Sequence, residues 1–419
     1  MFAKLKFRII LENIVARREE VLLSFEERQI LIIGAGPSGL IAAREAARRG
    51  IDVLVVEEDS EIGVPCHCAG LLSLRGLKRL NVSIDGSYVQ NRVRGAFFYS
   101  PSGLSFKIER QSPVACVVDR SALDKYFASQ AIRSGAEIRS NSRVQDIRLE
   151  KGYVAVKSKK EVFKASIVID AEGVSSRIVR AAGLKPTNPS YLLSGFQLDL
   201  YGVDVDPNYV EVHVGSKVAP GFFAWVIPLS SNSVRVGLGC RKANPKELLQ
   251  RFIERRFKGE EYEILMSRSG TIITSGPIGK TFSNRLLIVG DAAGQVKPTT
   301  GGGVVLGGLC GAIAGKVAAE AVNLGRFDED FLRLYEEAWR KKLGREFKYM
   351  LWARRILNAL SDHVIDKGFE LIIKEGLQEV ISREGDMDFQ SGIILELIRR
   401  RRILRMLLPL LRLLTPSSQ

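Results

Sequence analysis

Long apolar runs, histidines and paired cysteines are scarce in this sequence of 419 residues, and each absence excludes a class of protein. No window reaches about 18 uninterrupted apolar residues, which excludes a polytopic membrane protein. The five cysteines are odd in number and scattered, so they form no disulfide framework. The first residues mix both charge signs without a long apolar run, so we expect no secretory signal. We therefore expect a cytoplasmic, mostly reduced protein.

The composition is that of an ordinary globular protein. Hydrophobic residues make up 46% and charged residues 26%, which excludes a disordered chain, collagen and a coiled-coil rod. The length predicts two or three structural units, at about 150 residues per domain. The net charge of +15 favours an anionic partner, which could be nucleic acid, an acidic protein or an anionic membrane, although general solubility also explains it.

Two kinds of strand pattern alternate along the chain. Apolar runs typical of buried strands stand at 29–33, 51–57, 165–170 and 285–289. Residues 90–119 and 190–240 instead alternate apolar and polar side chains between turns, which is typical of antiparallel strands. Beyond Gly301 the pattern is mainly helical. We expect two different sheets followed by a helical region.

A glycine turn links the first buried strand to a helix, in the order Gly34-Ala35-Gly36-Pro37-Ser38-Gly39. The first glycine permits a tight turn, and the second lets the backbone approach a pyrophosphate at the helix N-terminus. Glu57 ends the next strand, where a carboxylate accepts a ribose hydroxyl. The complete strand–turn–helix–strand–acid set predicts a dinucleotide site.

A second nucleotide-facing segment lies about 250 residues further on, where a strand delivers Gly290, Asp291 and Ala292 to a turn. Asp291 is suited to hold a ribityl hydroxyl. The loop from Pro298 to Gly303 then opens a helix with three glycines, which suit close approach to a flat ring and aim N–H groups at a developing anion. One long cofactor spanning both segments fits FAD better than NAD.

With these motifs the chain resembles the geranylgeranyl reductase family, within the larger group of FAD proteins shaped like p-hydroxybenzoate hydroxylase. Besides the two nucleotide segments, the similar stretches are 64–71 (Val-Pro-Cys-His-Cys-Ala-Gly-Leu), 119–124, 170–176 and the aromatic segment 220–228. Three positions depart from the family pattern: Glu172 replaces an aspartate, Phe223 a tyrosine and Ile227 a phenylalanine. The isoleucine also makes the aromatic segment similar to that of flavin halogenases.

The resemblance implies a fold and a reaction. The fold class is α/β, with a Rossmann-like FAD-binding domain, an inserted antiparallel-sheet substrate domain and a helical C-terminal region. The expected units are an N-terminal extension (1–28), a discontinuous FAD-binding domain (29–89, 116–185 and 276–325), a substrate domain (90–115 and 186–275) and the helical region (326–419). The implied enzyme reduces C=C bonds of geranylgeranyl chains, in archaeal membrane lipids or geranylgeranyl diphosphate, with reduced FAD. A monooxygenase or halogenase of the same fold is the alternative, and a membrane-docked electron relay is a third.

The implied site residues fall into two sets, and no metal site is expected. The cofactor-binding residues are Gly34, Gly36, Pro37, Ser38, Gly39, Glu57, Glu58, Cys68, Ala69, Gly70, Arg120, Val144, Glu172, Gly173, Asp291, Ala292, Pro298, Gly301, Gly302 and Gly303. The substrate-binding residues are Phe222, Phe223, Trp225 and Pro228. These rings would form an apolar wall for an isoprenoid chain, although a place in the core of a sheet is the simpler explanation.

The Cys66-His67-Cys68 stretch allows several interpretations. A metal site would need further ligands, and His213 and His363 lack ligand spacing. A disulfide between the two cysteines would be a strained, very small ring. A structural cysteine in the loop is a third interpretation. The resemblance favours the fourth, in which Cys68 donates a proton beside the flavin, since a thiol of pKa near ~8.5 is mostly protonated at neutral pH.

The C-terminal stretch 393–414 alternates apolar clusters with arginines. Leu397, Leu404, Leu408 and Leu411 fall on one helical stripe, which Pro409 would kink or end. This pattern indicates a basic amphipathic helix on an anionic membrane, and the alternative is a solvated helix packed on the enzyme. We expect a protein peripheral on the inner face of the cell membrane, with no nucleic-acid partner and a monomeric state. The electron donor could be a ferredoxin, a reduced nicotinamide or a deazaflavin.

Overall fold

A computed structural model describes residues 25–159, 161–400, 402, 403 and 405. Within this part, a mixed sheet of eight strands forms the centre of the molecule. Six of its strands lie side by side in the order β17-β18-β11-β1-β2-β8, and β10 pairs with β11 on one side and with β9 on the other. Its strands are β1 (Phe25–Ile33), β2 (Val53–Val56), β8 (Glu137–Arg139), β9 (Val144–Leu149), β10 (Val154–Ser158), β11 (Val162–Asp170), β17 (Phe282–Ser283) and β18 (Leu286–Ile288). The pairs among β18, β11, β1, β2 and β8 are parallel, as expected for a nucleotide-binding sheet.

Two further sheets are antiparallel for the most part. A small one contains β3 (Leu71–Ser73), β7 (Ala115–Val118) and β4 (Val89–Val93). The larger one runs in the order β16-β12-β15-β14-β13-β5-β6, with β5 (Gly95–Tyr99), β6 (Ser105–Glu109), β12 (Leu192–Tyr201), β13 (Tyr209–Val214), β14 (Phe223–Pro228), β15 (Ser233–Cys240) and β16 (Glu263–Ile273). Only the β13–β5 pair in it is parallel.

The two-residue period of β14 decides which side chains face the site. Ala224 and Val226 are buried in an apolar cluster with the helix that follows β15, whereas Phe223 and Trp225 point to the opposite face, toward a large cavity. Gly237 lies opposite Trp225 in the register, and a Cβ there would come within 2.6 Å of the indole ring. The glycine therefore makes the space that the tryptophan fills.

The helices are α1 (Pro37–Ala47), α2 (Leu74–Arg79), α3 (Arg120–Arg133), α4 (Arg177–Ala181), α5 (Pro245–Arg256), α6 (Val304–Leu324), α7 (Glu329–Ala359), α8 (Asp362–Lys374), α9 (Leu377–Glu384) and α10 (Ser391–Arg399). Helix α6 is long and apolar enough to cross a membrane, but 72% of its apolar stretch of 18 residues is buried inside the protein. It packs closely on α1, because Cβ atoms at Gly311 and Gly315 would meet α1 backbone oxygens at 2.2 Å. We assign α6 to the core of the nucleotide-binding unit.

The C-terminal helices differ in how they pack. The buried face of α7 includes Tyr335, Trp339 and Phe347 and joins the same apolar core as β1 and α6. Helices α8, α9 and α10 are amphipathic but bury few side chains, among them Phe369 and Leu377. Much of their apolar surface faces a cavity instead.

The expected α/β fold class is confirmed, and two boundaries differ from expectation. Strand β1 begins at Phe25, three residues before the expected end of the N-terminal extension at residue 28, and the division into domains stays a prediction. The helix expected from residue 393 is interrupted before Pro409: α10 ends at Arg399, and Arg400 has extended backbone (φ −69°, ψ 117°). This break lets Ile403 pack against Ile356 and Leu377. The stripe positions Leu404, Leu408 and Leu411, with Pro409, lie outside the described residues.

Candidate active site

The first glycine turn has the geometry of an anion site. Helix α1 begins at Pro37, and no side chain caps its N-terminal N–H groups. Gly34 has φ +99°, and a Cβ there would lie 2.4 Å from the Ala171 carbonyl oxygen. A Cβ at Gly36, in contrast, would meet nothing within 4 Å. The uncapped N–H groups and the open space beside Gly36 together fit a bound pyrophosphate.

Glu57 lies at the end of β2, beside this turn. Its carboxylate accepts hydrogen bonds from the backbone N–H groups of Ala35 (2.6 Å) and Asp59 (3.1 Å). Burial raises the pKa of Glu57, and the two backbone bonds oppose that rise. Because each carboxylate oxygen can accept more than one hydrogen bond, Glu57 keeps capacity for a ribose hydroxyl.

Asp291 is a half-buried carboxylate to which no group in the described part of the chain donates a hydrogen bond. Burial raises the pKa of Asp291, and the nearby Arg120 guanidinium lowers it. A Cβ at Gly303 would lie 2.8 Å from Asp291 Oδ1, so the carboxylate lies directly against the glycine loop. An acceptor on the cavity wall without a protein donor fits a hydroxyl-bearing ligand, which is what the ribityl chain of FAD supplies.

Three connections that no sequence motif indicates hold the 298–303 loop. Arg354 of α7 donates from Nε to the Pro298 carbonyl oxygen (3.0 Å) and from Nη2 to that of Thr299. Lys297 pairs with Asp388 at 2.9 Å, and Thr299 Oγ1 lies 2.7 Å from Gln390 Oε1. The C-terminal region therefore fixes the loop that faces the cofactor.

Arg354 is 4% exposed, and no carboxylate among the described residues pairs with it. Burial first, and then the neighbouring Arg241 guanidinium, lower its pKa to about 10. Its Cζ lies 4.8 Å above the ring of Phe222. A positive charge thus stands beside both the glycine loop and the aromatic segment.

The loop 64–71 crosses the other side of the site and is held by the large sheet. Cys68 Sγ accepts a hydrogen bond from the Gly70 N–H (3.4 Å), and Gln197 Nε2 donates to the Cys68 carbonyl oxygen (3.2 Å). Arg235 donates to the Ala69 carbonyl oxygen (2.9 Å) and forms a buried, bidentate pair with Asp199. The loop conformation is therefore set by residues far away in the sequence.

The thiols of Cys66 and Cys68 are both free, so the structure shows no disulfide there. Burial raises the pKa of Cys66. Arg120 lies close enough to both cysteines for its charge to act on them, and it forms a bidentate pair with Asp124 at 3.1 and 2.9 Å. Within the described ranges, no group of three histidine, cysteine or acidic side chains could hold a metal ion.

A cavity of about 1470 Å³ joins most of the predicted site residues. Those that line it are Gly36, Pro37, Ser38, Cys68, Ala69, Gly70, Arg120, Gly173, Phe222, Phe223, Trp225, Asp291, Gly301, Gly302 and Gly303. Those outside its wall are Gly34, Gly39, Glu57, Glu58, Val144, Glu172, Pro228, Ala292 and Pro298. Two of the latter have other partners: Glu58 pairs with Arg143 (3.1 Å), and Glu172 accepts from the Ile178 N–H (2.6 Å) in the first turn of α4. Roles for these two residues at the cofactor stay predictions.

The far part of the cavity is apolar. Phe222 and Phe223 stack with ring centroids 4.2 Å apart, and Trp225 meets Phe223 edge-on at 6.0 Å. The opposite wall comes from the C-terminal helices, including Phe369 and Leu397. This volume exceeds the roughly 300–1,000 Å³ of usual small-molecule sites, so the cavity can hold a flavin ring and a long apolar chain together.

Comparison with known proteins agrees with this geometry. Residues 27–258 match a family described as an FAD binding domain, and the fold and site define an FAD-dependent oxidoreductase. Digeranylgeranylglycerophospholipid reductase 2 of Methanothermobacter thermautotrophicus is 39% identical, over 80% of this chain and 89% of that protein. The digeranylgeranylglycerophospholipid reductase of Methanocaldococcus jannaschii is 33% identical, over 80% and 88%. The chain belongs to the digeranylgeranylglycerophospholipid reductase family.

Solved structures show the same architecture. A geranylgeranyl bacteriochlorophyll reductase-like protein from Thermoplasma acidophilum has a TM-score of 0.82 and 28% identity, covering 92% of this chain and 100% of that one. The flavin-dependent brominase Bmp2 has a TM-score of 0.68 at 18% identity, covering 89% and 98%. The second likeness concerns the fold alone.

Proposed function

We propose that this enzyme saturates C=C bonds in the geranylgeranyl chains of archaeal-type membrane lipids, with FAD as its cofactor. The observation that carries the proposal is the single cavity that runs from the glycine loops at 36–39 and 301–303 to the apolar wall of Phe222, Phe223 and Trp225. The membership in the reductase family agrees with it. The geranylgeranyl lipid is the proposed substrate. Geranylgeranyl diphosphate, a smaller molecule with the same chain, is the other candidate substrate.

The chemistry that FAD would supply, when bound and reduced, is hydride donation to one alkene carbon. The chain's own residues do the rest. The N–H groups of the 301–303 loop would hold the flavin ring, and Asp291 would accept a hydrogen bond from the ribityl chain. The stacked Phe222 and Phe223 and the C-terminal helices enclose the apolar chain and exclude water. An isolated alkene is a poor hydride acceptor, so enclosure and a well-placed acid are both required.

We propose Cys68 as the group that gives a proton to the other alkene carbon. Its thiol lines the cavity, and the bonds from Gln197 and Arg235 to the loop backbone fix its position. Cys66 also lines the cavity, and burial raises its pKa. Geometry alone therefore leaves two candidate thiols, and the resemblance of the loop favours Cys68.

Electrons must reach the flavin from a second protein or a soluble reductant. We propose an acidic ferredoxin, since the chain carries +15 net charge, with a reduced nicotinamide or a deazaflavin as the other donors to test. We also propose that the enzyme works on the inner face of the cell membrane as a peripheral protein, because its substrate is a membrane lipid.

Mass spectrometry of the lipid product tests the proposed function. Digeranylgeranyl lipid is incubated anaerobically with the protein and dithionite, and we expect gains in steps of about 2 mass units, one for each bond reduced. With oxygen present, a gain of oxygen or, with halide, of halogen would instead indicate the monooxygenase or halogenase chemistry of the alternative. A lipid unchanged under all conditions would contradict both.

A further inference from the structure

A second cavity, of about 540 Å³, lies apart from the cofactor loops, and cationic side chains make up almost half of its lining residues. Its charged residues are Arg44, Glu45, Arg48, Arg49, Arg79, Lys316 and Lys342. They come from the end of α1, from α2, and from the middle of α6 and α7. Six cations facing one carboxylate leave a strong local excess of positive charge.

The few acids nearby are already shared. Glu45 lies 3.3 Å from Arg44, 3.4 Å from Arg48 and 3.3 Å from Arg49. Arg79 pairs with Asp386 at 3.2 Å. In the part of the chain that the structure describes, neither lysine has an ion pair, and both are exposed. Lys316 and Lys342 therefore supply about half of the excess charge, and the three arginines that share Glu45 supply the rest.

A structural explanation covers only the arginines. Cations in the last turn of a helix complement its dipole, and Arg44, Arg48 and Arg49 stand at the end of α1. Lys316 and Lys342 lie well inside α6 and α7, far from either helix end. Neither the helix dipole nor an ion pair accounts for these two lysines.

Through α2, this charged face adjoins one of the places where the large cavity reaches the surface. Arg79 lines the cationic cavity, whereas Arg75 and Lys78 of the same short helix line the large one. Both of the latter side chains are exposed, so the large cavity reaches the surface there. Positive charge thus continues from the cationic cavity to an opening of the large cavity at Arg75 and Lys78, which is called the mouth below.

We propose that this face, formed by Arg48, Arg49, Arg79, Lys316 and Lys342, docks on an anionic phospholipid bilayer. Docking there brings the mouth at Arg75 and Lys78 to the headgroups, so that a prenyl chain leaves the bilayer for the cavity without crossing water. The proposal rests on the lipid substrate proposed above. It places the membrane contact on the body of the enzyme and not at the C-terminal stretch, where Arg400 pairs with Glu396 and Arg402 with Glu375.

Vesicle binding tests this surface with the full-length, FAD-loaded protein. The vesicles are equal parts phosphatidylglycerol and phosphatidylcholine, or phosphatidylcholine alone, and binding is measured by sedimentation. The test variant carries Lys316→Glu and Lys342→Glu. The matched control carries Lys151→Glu and Lys258→Glu, which change the net charge equally at exposed positions that line neither cavity.

We expect the test variant to bind the anionic vesicles at least about twentyfold more weakly, since each cation near such a surface contributes roughly fivefold. The control should bind like the parent within about threefold, and added salt should weaken the parent's binding. If the double glutamate variant loses the flavin spectrum, the double variant Lys316→Gln with Lys342→Gln replaces it in the test. We expect this variant, too, to bind the anionic vesicles about twentyfold more weakly than the parent.

Equal binding by the test and control variants would overturn the proposal. So would full binding by the test variant together with loss on deleting residues 393–419, which would place the anchor at the C-terminus. Tighter binding of a duplex oligonucleotide than of vesicles would assign the face to nucleic acid. Reductase activity on detergent-dispersed lipid tests the proposed function separately from the docking surface. The test variant should keep this activity, because no membrane is involved. A parent protein that is inactive on detergent-dispersed lipid would contradict the proposed function and leave the docking surface unaffected.

Discussion

Replacing Arg354 by methionine tests whether the C-terminal region holds the cofactor loop. The parent side chain donates to the carbonyl oxygens of Pro298 and Thr299, and it is 4% exposed. Methionine has similar length and no donor. A buried carbonyl left without a partner costs about 1–3 kcal/mol, so two of them cost about 2–6 kcal/mol when the loop keeps its present conformation.

In the apoprotein the loop can relax away from that conformation, and FAD must then restore it on binding. Because water can reach the cavity side of the loop, we expect the low end of the range, about 2–3 kcal/mol. This corresponds to FAD binding that is weaker by roughly 30- to 150-fold. Titration of the apoprotein with FAD, followed by flavin fluorescence, measures the change, and thermal unfolding of the apoprotein shows whether the variant still folds.

Arg241→Met is the control for this prediction. Nε and Nη2 of Arg241 are buried, with no hydrogen-bond partner among the described residues, and its charge lowers the pKa of Arg354. Its removal should change FAD affinity by less than about threefold, since no bond to the loop is lost. Unchanged FAD affinity in Arg354→Met, or an equal loss in both variants, would refute the argument that Arg354 holds the loop.

Three further predictions follow from other parts of the molecule. Cys68→Ser should keep FAD and accept electrons but lower product formation by roughly 10²–10⁴-fold, measured beside Cys66→Ser; equal behaviour of the two variants would contradict the acid assignment. Deleting residues 393–419 removes Leu397 and Ile398 from the cavity wall, so KM for digeranylgeranyl lipid in detergent should rise on the order of tenfold while the flavin spectrum stays; an unchanged KM would show that this wall does not contact substrate. Arg256 and His213 hold the pKa of Glu211 at about 2 against an ordinary 4.5, so the stability from Glu211 is present above pH 4.5 and is lost as pH falls through about 2. Urea unfolding between pH 4.5 and pH 2 should show that the free energy of unfolding of the parent falls by about 3 kcal/mol more than that of Glu211→Gln. An equal fall in both proteins would contradict this assignment to Glu211.

The cofactor half of the site could be predicted from the sequence because its signals are local. The turn 34–39 and Glu57 form one strand–turn–helix–strand unit, and the glycines at 301–303 precede a helix directly. Steric and dipole effects within a few residues decide such units. Asp291 likewise follows a buried strand, and the expectation of FAD is confirmed.

The supports of the site could not be predicted, because they depend on contacts between distant residues. Arg354 follows Pro298 by 56 residues, Asp388 follows Lys297 by 91, and Gln197 follows Cys68 by 129. Helical periodicity places Arg354 on a face of α7 but does not say what that face contacts. The same limit applies to α10, because its pattern allowed either a membrane surface or packing on the enzyme, and only the structure shows that Leu397 and Ile398 line the cavity.

The central claim is that the reduced enzyme transfers its electrons to C=C bonds of a prenyl lipid held in the cavity. The most direct measurement is anaerobic reoxidation of the dithionite-reduced protein, freed of excess dithionite, on addition of lipid. We predict that digeranylgeranyl lipid restores the visible absorbance of the oxidised flavin, with one bond saturated for each flavin, whereas the fully saturated diphytanyl lipid does not. A flavin that stays reduced with the unsaturated lipid, or that is reoxidised equally by both lipids, would contradict the account.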